Sequence, residues 1–262
     1  MKAAHHITVV KIGGNIVNDS VALTDFLKKF SSLKGRKILV HGGGREATAL
    51  AAALNIKTTM IEGRRVTDAD TLSVVTMIYA GLINKRIVSM LQSMGCNAIG
   101  LTGADAKTIT SVRRPAEPVD FGFVGDLKSD SVNHHAIMQL MECGLTPVFC
   151  AITCTAEGQL LNSNADTVAS EVACAMSEVA DVKLIYCFEK DGVLSDANDD
   201  SSVIPIITPE SFNSLKNDGV INGGMIPKIT NAIKAVERGV ECVIIKSAAH
   251  LCSPSSGTII KS

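Results

Sequence analysis

The 262-residue chain has no Trp, two Tyr and seven Phe, so it lacks the stacking platforms that single-stranded nucleic acid would use. An excess of either charge is also missing. Twenty-five basic residues face 26 acidic ones, the formal net charge is −1, and neither sign gathers in blocks. A polyanion therefore finds no basic stripe to bind. Proline is scarce, seven against 21 glycines, and hydrophobic residues outweigh charged ones 46% to 19%. That composition excludes a disordered chain and suits a globular fold with many tight strand-to-helix turns.

Long apolar runs are absent as well. The longest, residues 136–154, is interrupted by Glu142, Gly144 and Pro147, which rules out a membrane span there. Near the start only Ile7-Thr8-Val9-Val10 is apolar, too short for a signal-peptide core, and a cytoplasmic location is expected. Eight cysteines are present, but no two form a C-x-x-C pair, so they are expected as buried thiols in a reducing compartment. The His5-His6 and His134-His135 pairs have no partners at metal-site spacing, and no metal site built by the protein is expected. There is also no G-x-x-x-x-G-K-[ST], which excludes an ordinary P-loop.

What remains is a regular alternation. Residues 7–12, 37–41, 97–101, 146–152, 182–188 and 241–246 read as strands, several of them apolar on both faces. Interior strands of a mainly parallel sheet have that pattern, because helices cover both sides. Helices are expected over 20–33, 46–54, 68–94, 132–143, 165–176 and 225–238, the long one with a break near Gly81. Residues 113–130 interrupt the alternation and read as a hairpin excursion. The expected fold class is α/β, a three-layer αβα sandwich on an open, mainly parallel sheet. A shift in character near Ala180 divides it into lobes 1–179 and 180–262.

Two glycine clusters stand at strand ends, Lys11-Ile12-Gly13-Gly14 and His41-Gly42-Gly43-Gly44. Ligands of parallel sheets bind beyond the carboxyl ends of strands, and glycine lets backbone N–H groups approach phosphate or carboxylate oxygens. Such clusters also serve as plain β-to-α turns. Gly42-x-Gly44-x-x-Ala47 with Glu62 further on satisfies the loose dinucleotide fingerprint, although that motif normally follows the first strand of its fold. Lys11 favours an anion site, since a lysine in an apolar strand is costly to bury unless its ammonium meets a negative ligand. Lys228 sits in the first turn of a helix, where the dipole disfavours a cation and a bound anion would explain it. Asn164 and Asp166 open another helix, Asn164 as an N-cap. Phosphoryl transfer accounts for the set, because it needs positioning and positive charge rather than covalent chemistry. Lys11 and Lys228 are placed on opposite sides of the moving phosphoryl, with Asp166 orienting both.

These residues, with Gly63-Arg64-Arg65-Val66-Thr67, Gly81-Leu82-Ile83-Asn84-Lys85, Gly122-Phe123-Val124-Gly125, Asn162-Ser163-Asn164-Ala165-Asp166 and Gly223-Gly224-Met225-Ile226-Pro227-Lys228, resemble in order and spacing the amino acid kinases. The resemblance spans nearly the whole chain. It implies the carbamate kinase-like sandwich, with an N-terminal lobe for an acyl amino acid and a C-terminal lobe for ATP and the Mg2+ it carries. It implies that Lys11 and Lys228 stabilise the transferring phosphoryl and that Asp166 organises them. Gly13, Gly14 and Gly44 would donate N–H bonds to phosphate oxygens, and Gly43, Gly44, Arg65 and Asn162 would hold the substrate. Chemistry supports Arg65 separately, because a guanidinium grips a carboxylate with two parallel bonds. Its strand neighbour Arg64 is expected on the opposite, solvated face.

The expected activity is phosphorylation of the γ-carboxylate of N-acetyl-L-glutamate in arginine biosynthesis, with N-succinylglutamate or another carboxylate of the family as the alternative. Three stretches depart from the family pattern: Gly103-Ala104-Asp105-Ala106-Lys107, Cys187-Phe188-Glu189-Lys190-Asp191-Gly192 and Lys246-Ser247-Ala248-Ala249-His250. The last two fall in the expected nucleotide lobe. Arginine-inhibited members carry an extra N-terminal helix, for which residues 1–6 leave no room, so a homodimer without strong arginine inhibition is expected.

Overall fold

Alternation along the first strand sets the layers. The computed structural model describes residues 6–196, 198–222 and 225–262, and the sequence readings at His5, Gly223 and Gly224 lie outside them. In β1 (His6–Ile12), Ile7 and Val9 enter one core while Val10 and Ile12 enter another on the opposite face, as a period-two strand requires. Lys11 shares its parity with Val9, so its side chain belongs to the first face.

The chain continues through α1 (Gly14–Asn18), α2 (Ser20–Ser32), β2 (Arg36–His41) and α3 (Gly44–Ala53) to the short strands β3 (Met60–Ile61) and β4 (Arg64–Arg65). Next come α4 (Ala69–Thr76), a π-helical stretch (Met77–Ile83) and α5 (Asn84–Ser93), then β5 (Ala98–Leu101), β6 (Val112–Arg113), β7 (Gly125–Asp126), α6 (His134–Glu142) and β8 (Thr146–Phe149). The remainder is β9 (Ile152–Cys154), β10 (Leu160–Asn162), α7 (Ala165–Met176), β11 (Asp181–Phe188), β12 (Ile206–Ile207), α8 (Pro209–Asn217), α9 (Met225–Glu237), β13 (Cys242–Ser247) and β14 (Thr258–Ile260).

Eight strands form one sheet in the order β12-β14-β13-β11-β1-β2-β8-β5. All neighbouring pairs are parallel except β13 with β14. The expected mainly parallel sheet is therefore observed, with one antiparallel pair and with β1 and β11 paired at its centre. One face packs on Val168, Val172 and Met176 of α7 and Ile229 and Ala232 of α9. The other packs on Phe26 and Phe30 of α2 and Ile87 and Leu91 of α5. Residues 69–93 form one run, and by length and composition it is long and apolar enough to cross a membrane. Its apolar stripe is already committed, however, since Val75, Ile78, Ile83, Ile87 and Leu91 fill the second core.

Two expectations need revision. Residues 146–152 are not one strand: β8 ends at Phe149, and β9 turns away to pair antiparallel with β10. Both pieces are buried, so the apolar pattern is the same for one strand or two. The long helix does not break at Gly81 but passes through a π-helical stretch there. The excursion does form a hairpin, with Val112 and Arg113 paired to Asp126 and Gly125.

Candidate active site

Register across the central strands gathers the charged residues. Lys11 pairs with Tyr186 on β11, and Phe188, two residues on, projects from the same face. Lys11 is 8% exposed, and its Nζ lies 2.7 Å from Asp166 Oδ1. A buried ammonium needs such a partner. Asp166 stands in the first turn of α7, where the helix dipole favours a carboxylate. Asn164 caps that helix, its Oδ1 accepting from the Asp166 and Thr167 N–H groups, as its place before an apolar helix predicts. Tyr186 donates its hydroxyl to the Asp166 carbonyl at 3.1 Å, and burial pushes its phenol far above the usual range, so it stays a neutral donor.

Lys228 reaches the same place from α9. Its Nζ lies 4.1 Å from the centroid of the Phe188 ring, and Lys11 Nζ lies 5.5 Å from that centroid. The negative face of one aromatic ring thus stands close to both ammonium groups. Asp166 pairs with Lys11, and no ion pair joins it to Lys228 among the described residues.

The glycine loops differ in detail. The Gly13 N–H donates to the Cys187 carbonyl at 3.3 Å, which ties the loop to β11. Gly14 opens α1 and Gly44 opens α3, positions whose N–H groups have no intrahelical acceptor. Gly43 is a glycine for want of space: a Cβ there would fall 2.3 Å from Ile83 Cδ1 and 3.0 Å from a Tyr79 ring carbon. Behind the loop His41 is fully buried, and burial lowers its pKa to about 4. Its Nδ1 lies 2.9 Å from the Gly42 carbonyl and its Nε2 3.1 Å from Asn84 Nδ2. A carbonyl accepts only, so Nδ1 carries the proton and Nε2 accepts from the amide.

A cavity of about 200 Å³ opens in front of Gly42, Gly43 and Gly44. Arg65, Asn162, Val124 and Tyr79 line it, with the β3–β4 hairpin along its rim through Met60, Gly63 and Arg64. Arg65 is 8% exposed and its partners are the Gly44 carbonyl at 3.0 Å, Thr48 Oγ1 at 2.8 Å and Thr58 Oγ1 at 3.2 Å. All are neutral. A buried guanidinium without a carboxylate among these contacts is a place for an anionic ligand. Arg64 is exposed, as its position in the strand predicts. Asn162 donates to Thr67 Oγ1 at 3.0 Å, which fixes the amide and leaves its oxygen as an acceptor.

A second cavity, about 400 Å³, shares Gly63, Arg64 and Asn164 with the first and contains Asp166, Lys228, Tyr186, Phe188 and Ile245. Asp166 and Lys228 therefore line the second cavity, next to the residues it shares with the first, and Lys11, outside both linings, joins them through its pairing with Asp166. Of the stretches that depart from the family pattern, Lys246 is buried and bonds to the Ser253 and His250 carbonyls at 2.6 and 3.3 Å. It holds a loop rather than a ligand. His250 Nδ1 lies 2.7 Å from Asp191 Oδ1, beside the end of the sheet. Among the described residues no three His, Cys, Asp or Glu side chains cluster as a metal site.

The fold and the site define a phosphotransferase of the αβα sandwich type. The amino acid kinase family pattern matches residues 6–247, and the chain belongs to that family. A protein of Phocaeicola vulgatus named acetylglutamate kinase is 52% identical over 255 residues, spanning 97% of this chain and 98% of its own length. A Streptococcus mutans protein of solved structure superposes with a TM-score of 0.79 at 28% identity, covering 97% of this chain and 98% of that one. The carbamate kinase of Giardia superposes at 0.71 with 14% identity, over 99% of each chain, a likeness of fold alone.

Proposed function

We propose that the protein transfers the γ-phosphoryl group of ATP to the γ-carboxylate of N-acetyl-L-glutamate, a step of arginine biosynthesis. The observation that carries this reading is that the cavity lined by Lys228 and by Asp166, the partner of Lys11, adjoins a second one that holds the buried, carboxylate-free Arg65. The similarity to acetylglutamate kinases over nearly the full chain supports the choice of substrate.

The acyl amino acid occupies the smaller cavity. Arg65 grips its α-carboxylate, Asn162 bonds the acyl amide, and Gly43 and Gly44 line the approach. ATP occupies the larger cavity. Cationic Lys228 suits phosphate oxygens there, and Phe188 and Ile245 offer apolar wall; Gly14 stands outside that lining, with open backbone where a Cβ would meet nothing within 4 Å. Mg2+ carried by the nucleotide would supply neutralisation of phosphate charge in this cavity. An acyl-amino-acid lobe, 1–179, and a nucleotide lobe, 180–262, are proposed with this placement, the second lobe giving Tyr186, Phe188, Lys228, Asn231 and Ile245 to the larger cavity and the first giving it Asn164 and Asp166.

The γ-carboxylate is ionised at neutral pH, so attack needs no general base. One carboxylate oxygen forms a bond to the γ-phosphorus, the bond from that phosphorus to the β,γ-bridging oxygen breaks, and its electron pair leaves on ADP. Charge spreads over the equatorial oxygens as this happens. Lys11 and Lys228 stabilise that charge, and Asp166 holds Lys11 in place. Gly14 and Gly44 add N–H bonds to phosphate oxygens. Gly13 contributes chiefly by fastening the loop to Cys187.

The protein works in the cytoplasm as a homodimer. The exposed Met77 and Leu82 on the long helix are apolar surface that a second copy would cover. The test of the activity is ADP release that requires N-acetylglutamate, run beside N-succinylglutamate and with EDTA as a control. Turnover with the acetyl substrate and loss of turnover with EDTA support the reading. Preference for the succinyl substrate replaces the acyl group proposed, and no turnover with either refutes it.

A further inference from the structure

We infer that Tyr79 is a specificity-determining residue that donates its phenolic O–H to the α-carboxylate of the acylated amino acid, beside Arg65. The inference rests on the function proposed above and adds a residue to that site. Tyr79 lies in the π-helical stretch Met77–Ile83, a type of irregularity that recurs where a helix presents a functional side chain. The residue is 7% exposed and lines the smaller cavity together with Arg65 and Asn162. Its ring packs edge-on to Gly43, with Cδ1 and Cε1 at 3.0 and 3.1 Å from the place a Cβ would take. Its hydroxyl lies 3.9 Å from the corresponding place at Gly44.

The phenol oxygen can accept from the Arg65 guanidinium beside it, but among the described residues no hydrogen bond takes the phenolic proton. Arg65 lies next to it, but a guanidinium has no acceptor to offer, and its terminal nitrogens already donate to Gly44, Thr48 and Thr58. Burial raises the phenol pKa more than the neighbouring guanidinium lowers it, so the group keeps its proton. The guanidinium and the phenolic proton therefore stand side by side, and the phenolic proton has no acceptor among the described residues. A carboxylate supplies several lone pairs and accepts from a guanidinium and a phenol together. A neutral amide in its place would turn an N–H towards one of the two.

The test is Tyr79→Phe, which keeps the ring against Gly43 and removes only the hydroxyl. For N-acetylglutamate, kcat/KM is expected to fall about tenfold, chiefly through KM, as for loss of a hydrogen bond to a charged group. The second substrate is the analogue whose α-carboxylate is a carboxamide. The factor by which the wild-type enzyme prefers the acid over the amide is expected to shrink about tenfold in the variant. An unchanged KM overturns the inference. So does an unchanged preference for the acid, because the hydroxyl would then act elsewhere. A fall accompanied by a lower melting temperature, with the preference intact, marks a packing residue and also overturns it. Failure of the underlying function is read separately, as absence of turnover in the unsubstituted protein.

Discussion

Acidification from about pH 8 to about pH 5 presses on His41 before most carboxylates titrate. The ring is fully buried, its Nδ1–H donates to the Gly42 carbonyl, and its Nε2 accepts from Asn84. A proton on Nε2 would face the Asn84 amide N–H. Rotating Asn84 would present its oxygen instead but would break its 2.9 Å bond to the Val148 carbonyl. Burial therefore dominates, and the folded-state pKa falls from 6.5 to about 4. A histidine depressed in this way contributes stability in full above its unfolded value of about 6.5, and loses it as pH falls towards the folded value. With about 1.4 kcal/mol for each tenfold difference in proton affinity, the loss through this one group is about 2 kcal/mol by about pH 5. Urea unfolding of the wild type and of His41→Gln at a series of pH values measures it. The variant is expected to be less stable at pH 8 but to lose about 2 kcal/mol less on acidification. Parallel pH dependences for the two proteins would refute the reasoning.

Other consequences follow from the same contacts. Asp166→Asn leaves the Lys11 ammonium buried without its countercharge, so steady-state kinetics should show kcat lowered about a hundredfold or more, with unfolding easier by roughly 1–3 kcal/mol. Phe188→Leu keeps an apolar side chain but removes the ring face near both lysines. Turnover is expected to fall about two- to thirtyfold, matching about 0.5–2 kcal/mol of cation–π interaction, and retained full turnover would show the ring to be incidental. Gly43→Ala drives a methyl group into Ile83 and Tyr79, and thermal unfolding should register a loss of about 1–3 kcal/mol together with a raised KM for the acyl amino acid.

The sequence makes the frame legible because its central strands are apolar on both faces, and only a parallel sheet between helix layers accounts for that. Lys11 stands out for the same reason, as a charge in a run where every neighbour is apolar. Asn164 is also legible from its place before a helix, and Arg65 from the family resemblance, with strand parity then sending Arg64 to the opposite face. Phe188 is not, since an aromatic residue at the end of a strand reads as core, and its relation to Lys228 depends on α9 arriving from far along the chain. Tyr79 is hidden likewise. It sits in an apolar helical pattern, and the π-helical stretch that aims it at Gly43 leaves no mark on the periodicity. The helix α8 does carry a local signal, a reciprocal cap between Thr208 and Ser211 with Pro209 at its first position, which a search for apolar stripes passes over. The split of β8 from β9 has no such signal, because burial continues through both.

The central claim, that a carboxylate is phosphorylated between Lys11 and Lys228, is tested most directly by trapping the acyl phosphate. Wild-type protein with N-acetylglutamate, MgATP and hydroxylamine is expected to form a hydroxamate that depends on both substrates, and Lys228→Ala is expected to lower its rate about a hundredfold or more. No hydroxamate from the wild type, or an undiminished rate in the variant, would contradict the account.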